Sequence, residues 1–367
     1  MSTKPLELAQ LRSALSEADH PWTMAETSMT RMTEEQRTMR LGVPLDDDMT
    51  AQMVKSRSAA AAAEAHAAPA SSIGAPTSFD LRNVNGVNYT TSVKNQGGCG
   101  SCVAFGSVAT IEAVARYSAR NADLLVDLSE AHLFYDLGKA SGASCANGWW
   151  PELAAAAVQA EGVTFEDYYP YVAGQPGTVN AAWRDHCAKV TGWRNITNNP
   201  AAIKEAIATL GSVVACLVVY QDFFSYSSGV YRHLSGSQVG GHCVSLVGYD
   251  DAAGCWIAKN SWGPNWGQGG FLRIAYGECL IDSWRNIAID GVSFRTWWPD
   301  QQISGLWTND VEANVWAYAS QRRWLRLDGG VAATVGGMQH ALEAAKSGGR
   351  QVGIFEDAGS IKQIYAW

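Results

Sequence analysis

No run of residues in this chain is apolar over the roughly 20 positions that a bilayer-spanning helix needs. An export leader is not visible in this numbering either. The first ten residues, Met-Ser-Thr-Lys-Pro-Leu-Glu-Leu-Ala-Gln, carry charges where a leader has its apolar run. The expected location is therefore cytoplasmic, or outside by a route other than general secretion. A basic excess is missing too: 27 Lys and Arg face 35 Asp and Glu, a net charge of -8, which argues against nucleic acid or anionic membrane as the main partner. The eight cysteines do not form a dense disulfide framework, and several lie in apolar strands where a free thiol packs well. Their one C-x-x-C pair, Cys99 and Cys102, has no second pair at zinc-like spacing and no βαβ context. A metal or redox module is thereby disfavoured, and no metal or cofactor is expected. Charged residues are scarce at 17% against 47% hydrophobic, which excludes a disordered chain and requires a packed core.

What is present divides the chain into four parts. Leu8, Leu11 and Leu15 share one helical face. Thr33 and Gln36 make a capping box, and Gly42 supplies a helix stop. Residues 1–55 thus read as a short helical leading segment. Residues 56–78, rich in Ala, Ser and Pro, read as an exposed, cleavable linker. From Phe79 the composition becomes that of a packed domain. Cys102 opens a helix with Val108, Ile111 and Ala115 on one stripe. Helical patterns follow near 130–138 and at 152–161, the latter ended by Gly162, and Asn199-Pro200 open another that Gly211 closes. Strands then take over: Val213–Tyr220, Gly229–His233, Cys243–Tyr249, Cys255–Lys259 and Gly270–Tyr276. Helices first and antiparallel strands second indicate an α+β architecture of two lobes over 79–292. Residues 293–367 read as a separate, Trp-rich small α+β domain, of unknown role and able to bind an unknown partner. Its expected strands are Val311–Ala319 and Trp324–Asp328, then a helix Thr334–Lys346 and a hairpin of Gln351–Glu356 with Ser360–Ala366.

The chemistry-bearing residues lie in three blocks: Gln96-Gly-Gly-Cys-Gly-Ser-Cys102-Val-Ala-Phe, Gly240-Gly-His242-Cys, and Lys259-Asn260-Ser-Trp262-Gly. A cysteine at a helix start gains from unpaired N–H groups and the macrodipole, which favour a thiolate. A histidine can take its proton, and an amide can orient the ring. The order and the separations of roughly 130–150 residues resemble those of the papain/cathepsin cysteine peptidases. That resemblance implies a papain-like two-lobe fold, with a helical lobe and an antiparallel β-barrel-like lobe. It implies a nucleophile in Cys102, a general base in His242, an orienting amide in Asn260 and an oxyanion donor in Gln96, beside the Cys102 backbone N–H. It further implies that Trp262 shields the His242–Asn260 hydrogen bond, that Cys99 pairs with Cys145 under oxidising conditions, and that Gly148 offers its backbone to an extended substrate. Trp149 and Trp150 would wall the specificity pocket, Gly241 would leave one side bare, and Trp284 would fill its floor. The expected partners are polypeptide substrates and the chain's own leading segment lying in the cleft, in the manner of the short pro-segments of bacterial papain-like enzymes.

Some positions depart from that pattern. Val103 stands where an aromatic is usual, and Cys243 follows the histidine where a small apolar residue is common. Cys187 and Cys279 lack their usual partners. Two other readings stay open: a catalytically silent scaffold whose active part is the Trp-rich domain, and a transpeptidase that passes the acyl group to an amine. His20, His66, His132, His186, His233 and His340 have no context that assigns them a role.

Overall fold

The structure is a computed structural model that describes residues 8–18, 21–45 and 74–366. The leading segment holds helix α1 (Leu8–Glu17), strand β1 (Trp22–Met24) and helix α2 (Glu34–Thr38). The capping box is present: Thr33 Oγ1 accepts from the Gln36 N–H, and Gln36 Oε1 accepts from the Thr33 N–H. Leu11 and Leu15 are buried, with Trp22 and Met29, in the core of the strand-rich lobe. Residues 46–73, which include most of the linker expected at 56–78, lie outside the described residues.

Strand β2 (Ser78–Asp80) opens the packed part, and helix α3 (Cys102–Ala119) forms the centre of the helical lobe. Helix α3 is largely apolar and almost wholly buried, as a helix inside a core must be. Helix α4 (Pro151–Ala160) has proline at its first position, where the missing N–H costs nothing. Strands β3 (Val163–Thr164) and β4 (Cys187–Asn195) follow, then helix α5 (Pro200–Leu210), capped by the Asn199 side chain. The second lobe is built from β5 (Val213–Tyr220), β6 (Tyr226–Tyr231), β7 (Gln238–Asp250), β8 (Cys255–Lys259) and β9 (Phe271–Ala275). Residues 213–219 of β5 are all buried, which a continuous apolar run covered on both faces explains. The ladder runs β6-β9-β8-β7-β5, and β1 adds to its edge on β6. The two-lobed α+β architecture is as expected.

The C-terminal part differs from the expectation. Strand β10 (Asn286–Thr308) starts beside β5 and β4 in the sheet of the two-lobed part and continues into the Trp-rich region. Residue 293, expected as a domain boundary, therefore falls inside a strand. Beyond it come β11 (Val315–Ala319), β12 (Arg323–Leu327), helix α6 (Ala332–Ser347), β13 (Gln351–Asp357) and β14 (Ser360–Ala366). Strand β11 begins later than expected, because Asn309 Oδ1 accepts from the Val311 N–H and turns the chain there. The strands close as β10-β11-β12-β14-β13-β10, parallel only between β12 and β14. With a helix between the third and fourth strands, this is the connectivity of an OB barrel. Its core is continuous with the helical lobe through Phe165, Phe294 and Trp298. The Glu356 carboxylate, fully buried, is held by Arg322 at 2.7 and 2.9 Å and by Trp298 Nε1 at 2.8 Å.

Candidate active site

Helix α3 begins at Cys102, so the sulfur sits at the end of the helix where backbone N–H groups are unpaired. The helix lies directly on β7. A Cβ built on Gly106 would come within 2.8 Å of Cys243 Sγ and 3.3 Å of the Val244 nitrogen. The N–H of Cys243 points at Cys102 sulfur and favours its thiolate. The peptide joining His242 to Cys243 therefore touches Cys102, so β7 of one lobe meets the start of α3 of the other at His242. His242 Nε2 and Asn260 Oδ1 are 2.7 Å apart, which commits Nε2 to carry the proton and leaves Nδ1 as the acceptor. Nδ1 is buried and has no hydrogen-bond partner among the described residues. Trp262, also buried, lies over the imidazole at 4.6 Å between ring centres, so it keeps water from that hydrogen bond.

Gln96 is fixed at both ends. Its Oε1 accepts from Ser261 Oγ at 2.7 Å, and its backbone N–H donates to the Ser261 carbonyl at 2.9 Å. Its Nε2 donates to the carbonyls of Cys99 at 2.8 Å and Arg40 at 3.0 Å. Ser261 thus locks the loop that carries Gln96 to the loop that carries Asn260. Sequence reasoning missed this residue, although it sits inside a quoted block, because a hydroxyl next to a functional amide carries no signal by itself. Cys99 and Cys145 form the expected disulfide, and Cys187 and Cys279 are free and buried.

The leading segment passes through the cleft as a strap, Arg40 to Val43. The Arg40 carbonyl is at Gln96, and the Gly42 N–H points at Cys102 sulfur. The Gly42 carbonyl accepts from Trp149 N–H at 2.8 Å, and the Val43 N–H donates to Gly241 at 3.1 Å. Gly148, expected to offer its backbone to an extended substrate, makes no backbone hydrogen bond to the strap. Its N–H and carbonyl are both paired with Ser144, and its neighbour Trp149 donates instead. The glycine is required for a different reason: its φ is +68°, and a Cβ there would lie 2.0 Å from the Gly42 oxygen.

Of the expected pocket residues, Gly241 and Trp284 meet beside Val43. A Cβ on Gly241 would lie 2.6 Å from the Trp284 ring and 3.0 Å from Val43 Cβ, so Gly241 is bare because both pack onto it. Trp149 is buried and tied to Ser141 Oγ by its indole N–H, whereas half-buried Trp150 stacks under the Arg285 guanidinium at 4.1 Å.

Electrostatics in this closed state differ from the thiolate–imidazolium pair expected from sequence. Burial pushes the Cys102 thiol up to about 12 and the His242 imidazole down to about 4. Both groups are neutral under the strap, because desolvation outweighs the backbone donors around the sulfur. No group of His, Cys, Asp and Glu able to hold a metal ion occurs among the described residues.

A buried thiol against a histidine–amide pair, in a cleft between a helical and a β lobe, defines a thiol hydrolase. The model of the papain family cysteine proteases matches residues 75–289, more than half of the chain. The chain belongs to the papain family and is a papain-like cysteine peptidase. It is 34% identical to Cathepsin B-like CP3 of Giardia intestinalis over 221 residues, which are 57% of this chain and 72% of that protein. To fruit bromelain of Ananas comosus it is 34% identical over 205 residues, covering 55% of each. Among solved structures, recombinant stem bromelain precursor is similar with a TM-score of 0.56 and 27% identity, over 77% of this chain and 88% of that one. Procathepsin L 3 of the Tenebrio molitor larval midgut shares the fold with a TM-score of 0.60 and 22% identity, over 77% and 86%. These relatives are eukaryotic, so the expected bacterial character of the leading segment gains no support from them.

Proposed function

We propose that the chain is a cysteine endopeptidase made as a self-inhibited zymogen, with Cys102, His242, Asn260 and Gln96 as its working groups. The seating of Arg40–Val43 against Gln96, Cys102 and Gly241, the residue before His242, carries the reading. Once the strap leaves, water reaches the cleft, and His242 Nδ1 takes the Cys102 proton while Nε2–H stays bonded to Asn260. The helix terminus and the N–H groups of Val103 and Cys243 favour the thiolate. The thiolate attacks a substrate carbonyl carbon. The oxyanion takes the place now held by the Arg40 carbonyl, where Gln96 Nε2 and the Cys102 N–H donate to it. His242 then protonates the leaving amine, which leaves a thioester. Water, deprotonated by His242, hydrolyses it and returns the free thiol.

The strap survives its position because an amide N–H, that of Gly42, faces the sulfur in place of a carbonyl carbon. Polypeptides are the substrates, and the region between the strap and β2 is where the chain is cut on activation. Labelling by a mechanism-based epoxide tests the site: stoichiometric reaction at Cys102 alone supports it, and no reaction after strap removal refutes it. Self-processing is tested separately. Cys102→Ala stays full length while the parent trims itself between about 56 and 78 on this reading; equal trimming of both removes self-cleavage. Product mass distinguishes hydrolysis from transfer to an amine.

A further inference from the structure

Three sulfurs meet behind the cleft, and hydrolysis uses only one of them. Cys216 on β5 and Cys243 on β7 are direct partners in the antiparallel register. The Cys216 N–H donates away from β7, to the Arg285 carbonyl at 2.9 Å, so the two cysteines form a non-hydrogen-bonded pair. Such pairs hold their Cα atoms about 4.5 Å apart, with side chains at their closest. That separation lies within the range a disulfide spans without backbone movement. The third sulfur is Cys102. Cys243 Sγ lies over Gly106, one helical turn along the same face of α3 as Cys102. All three thiols are fully buried in one core cluster, and all are reduced. Packing alone accounts for a buried thiol at either position. It does not account for two thiols on one non-hydrogen-bonded pair set against the nucleophile.

We propose that Cys216 and Cys243 are a resolving dithiol for Cys102, and that they take up the oxidation that hydrogen peroxide places on the nucleophile. The inference rests on Cys102 being the nucleophile. The Cys102 thiolate attacks one peroxide oxygen, giving a sulfenic acid and hydroxide, which the His242 imidazolium proton converts to water. The Cys243 thiol attacks the Cys102 sulfur, and its proton leaves with the sulfenic oxygen as a second water. Cys216 then attacks Cys243 Sγ in the mixed disulfide, and Cys102 departs as a thiolate, its proton passing from Cys216 to His242. One peroxide and two thiols become one disulfide and two waters, and the nucleophile is returned. Under the strap Cys102 is pushed up and Cys243 well up by burial, so the relay is silent until the cleft opens.

The test uses the full chain activated by its own processing, treated with one equivalent of hydrogen peroxide, then alkylated and peptide-mapped. The expected result is a Cys216–Cys243 disulfide with Cys102 still alkylated, and peptidase activity that dithiothreitol restores after excess peroxide. In Cys216→Val with Cys243→Ala the activity loss is not restored, because Cys102 goes on to the sulfinic acid. Sulfinic Cys102 beside intact Cys216 and Cys243 thiols in the parent overturns the proposal. So does an equal yield of the Cys216–Cys243 disulfide in Cys102→Ala that the processed parent has cut in trans, since it cannot trim itself; this would show that oxidation does not enter through the nucleophile. Both of these outcomes are read by mass on proteins that need no new fold. Absence of peptidase activity before any peroxide is added would instead refute the peptidase reading.

Discussion

Gly42→Ala is expected to open the cleft of the unprocessed chain. A Cβ at this position falls 1.9 Å from the Gly100 carbonyl oxygen and 2.3 Å from its carbon. Gly100 cannot yield, because its own N–H is bonded to Cys145 at 3.1 Å and the adjacent Cys99 is disulfide-linked to Cys145. The strap must therefore leave the site. It gives up the hydrogen bonds from Gln96 to Arg40, from Trp149 to Gly42 and from Val43 to Gly241, worth about 1 kcal/mol each net. It also exposes Val43, whose burial contributes about 1.5–3 kcal/mol. At 1.4 kcal/mol per tenfold, a loss of about 5 kcal/mol raises the open fraction roughly a thousandfold or more. The rest of the segment keeps its anchors at Leu11, Leu15 and Trp22, so the chain stays folded. The assay is the rate of iodoacetamide alkylation at Cys102 in molecules whose mass shows them uncut. Gly336→Ala, where a Cβ meets nothing within 4 Å, is the control. If Gly42→Ala alkylates at the parent's rate, the strap does not guard the sulfur.

Acid is expected to loosen the strap. In Cys102→Ala protein, where no thiolate faces the ring, His242 is held down to about 4 when covered and returns toward its ordinary 6.5 when the cleft is open, so the open state binds the extra proton. The closed state is then at full strength above pH 6.5 and loses about 1.4 kcal/mol per unit as pH falls toward 4. In Cys102→Ala protein, the hydrogen-exchange protection of the Val43 amide, corrected for intrinsic rates, should fall across that window; flat protection contradicts the linkage. Gln96→Ala in the processed enzyme should lower kcat by about 10²–10³ with little change in KM, as loss of one oxyanion donor does. A change confined to KM would place Gln96 in substrate binding alone. Glu356→Ala leaves Arg322 buried and unpaired, and should destabilise the protein by about 3–5 kcal/mol, read as a lowered denaturation midpoint. Because β10 spans both regions, the peptidase lobe should lose structure in the same transition; separate transitions would mean that the barrel folds by itself.

Local order was legible wherever chemistry and periodicity act over a few residues. The helix starts at Cys102 and Pro200, the capping box at Thr33 and the buried run 213–219 follow from caps, stops and apolar pattern alone. Strands β4 and β10 were not legible. Strand β10 carries Gly291, Pro299 and Gly305, and its register shifts near residues 289–292, 298–301 and 303–305 break the alternation that would betray a strand. The same irregularities let one strand leave the peptidase sheet and close a second barrel, so the boundary read at 293 dissolved. At the site, Cys102, His242, Asn260 and Gln96 were expected because their three sequence blocks resemble the papain/cathepsin pattern. Backbone roles belonged to the tertiary structure. Trp149 in place of Gly148 offers the N–H, since a positive φ at the glycine turns the next peptide outward. The strap could seat only where Gly100, Gly148 and Gly241 present bare backbone from separate segments of the chain. The sequence by itself thus determined which groups are available for chemistry and where helices begin. Only the tertiary structure decided their protonation, their cover and the thiol cluster behind them, because burial and contact depend on residues far apart in the chain.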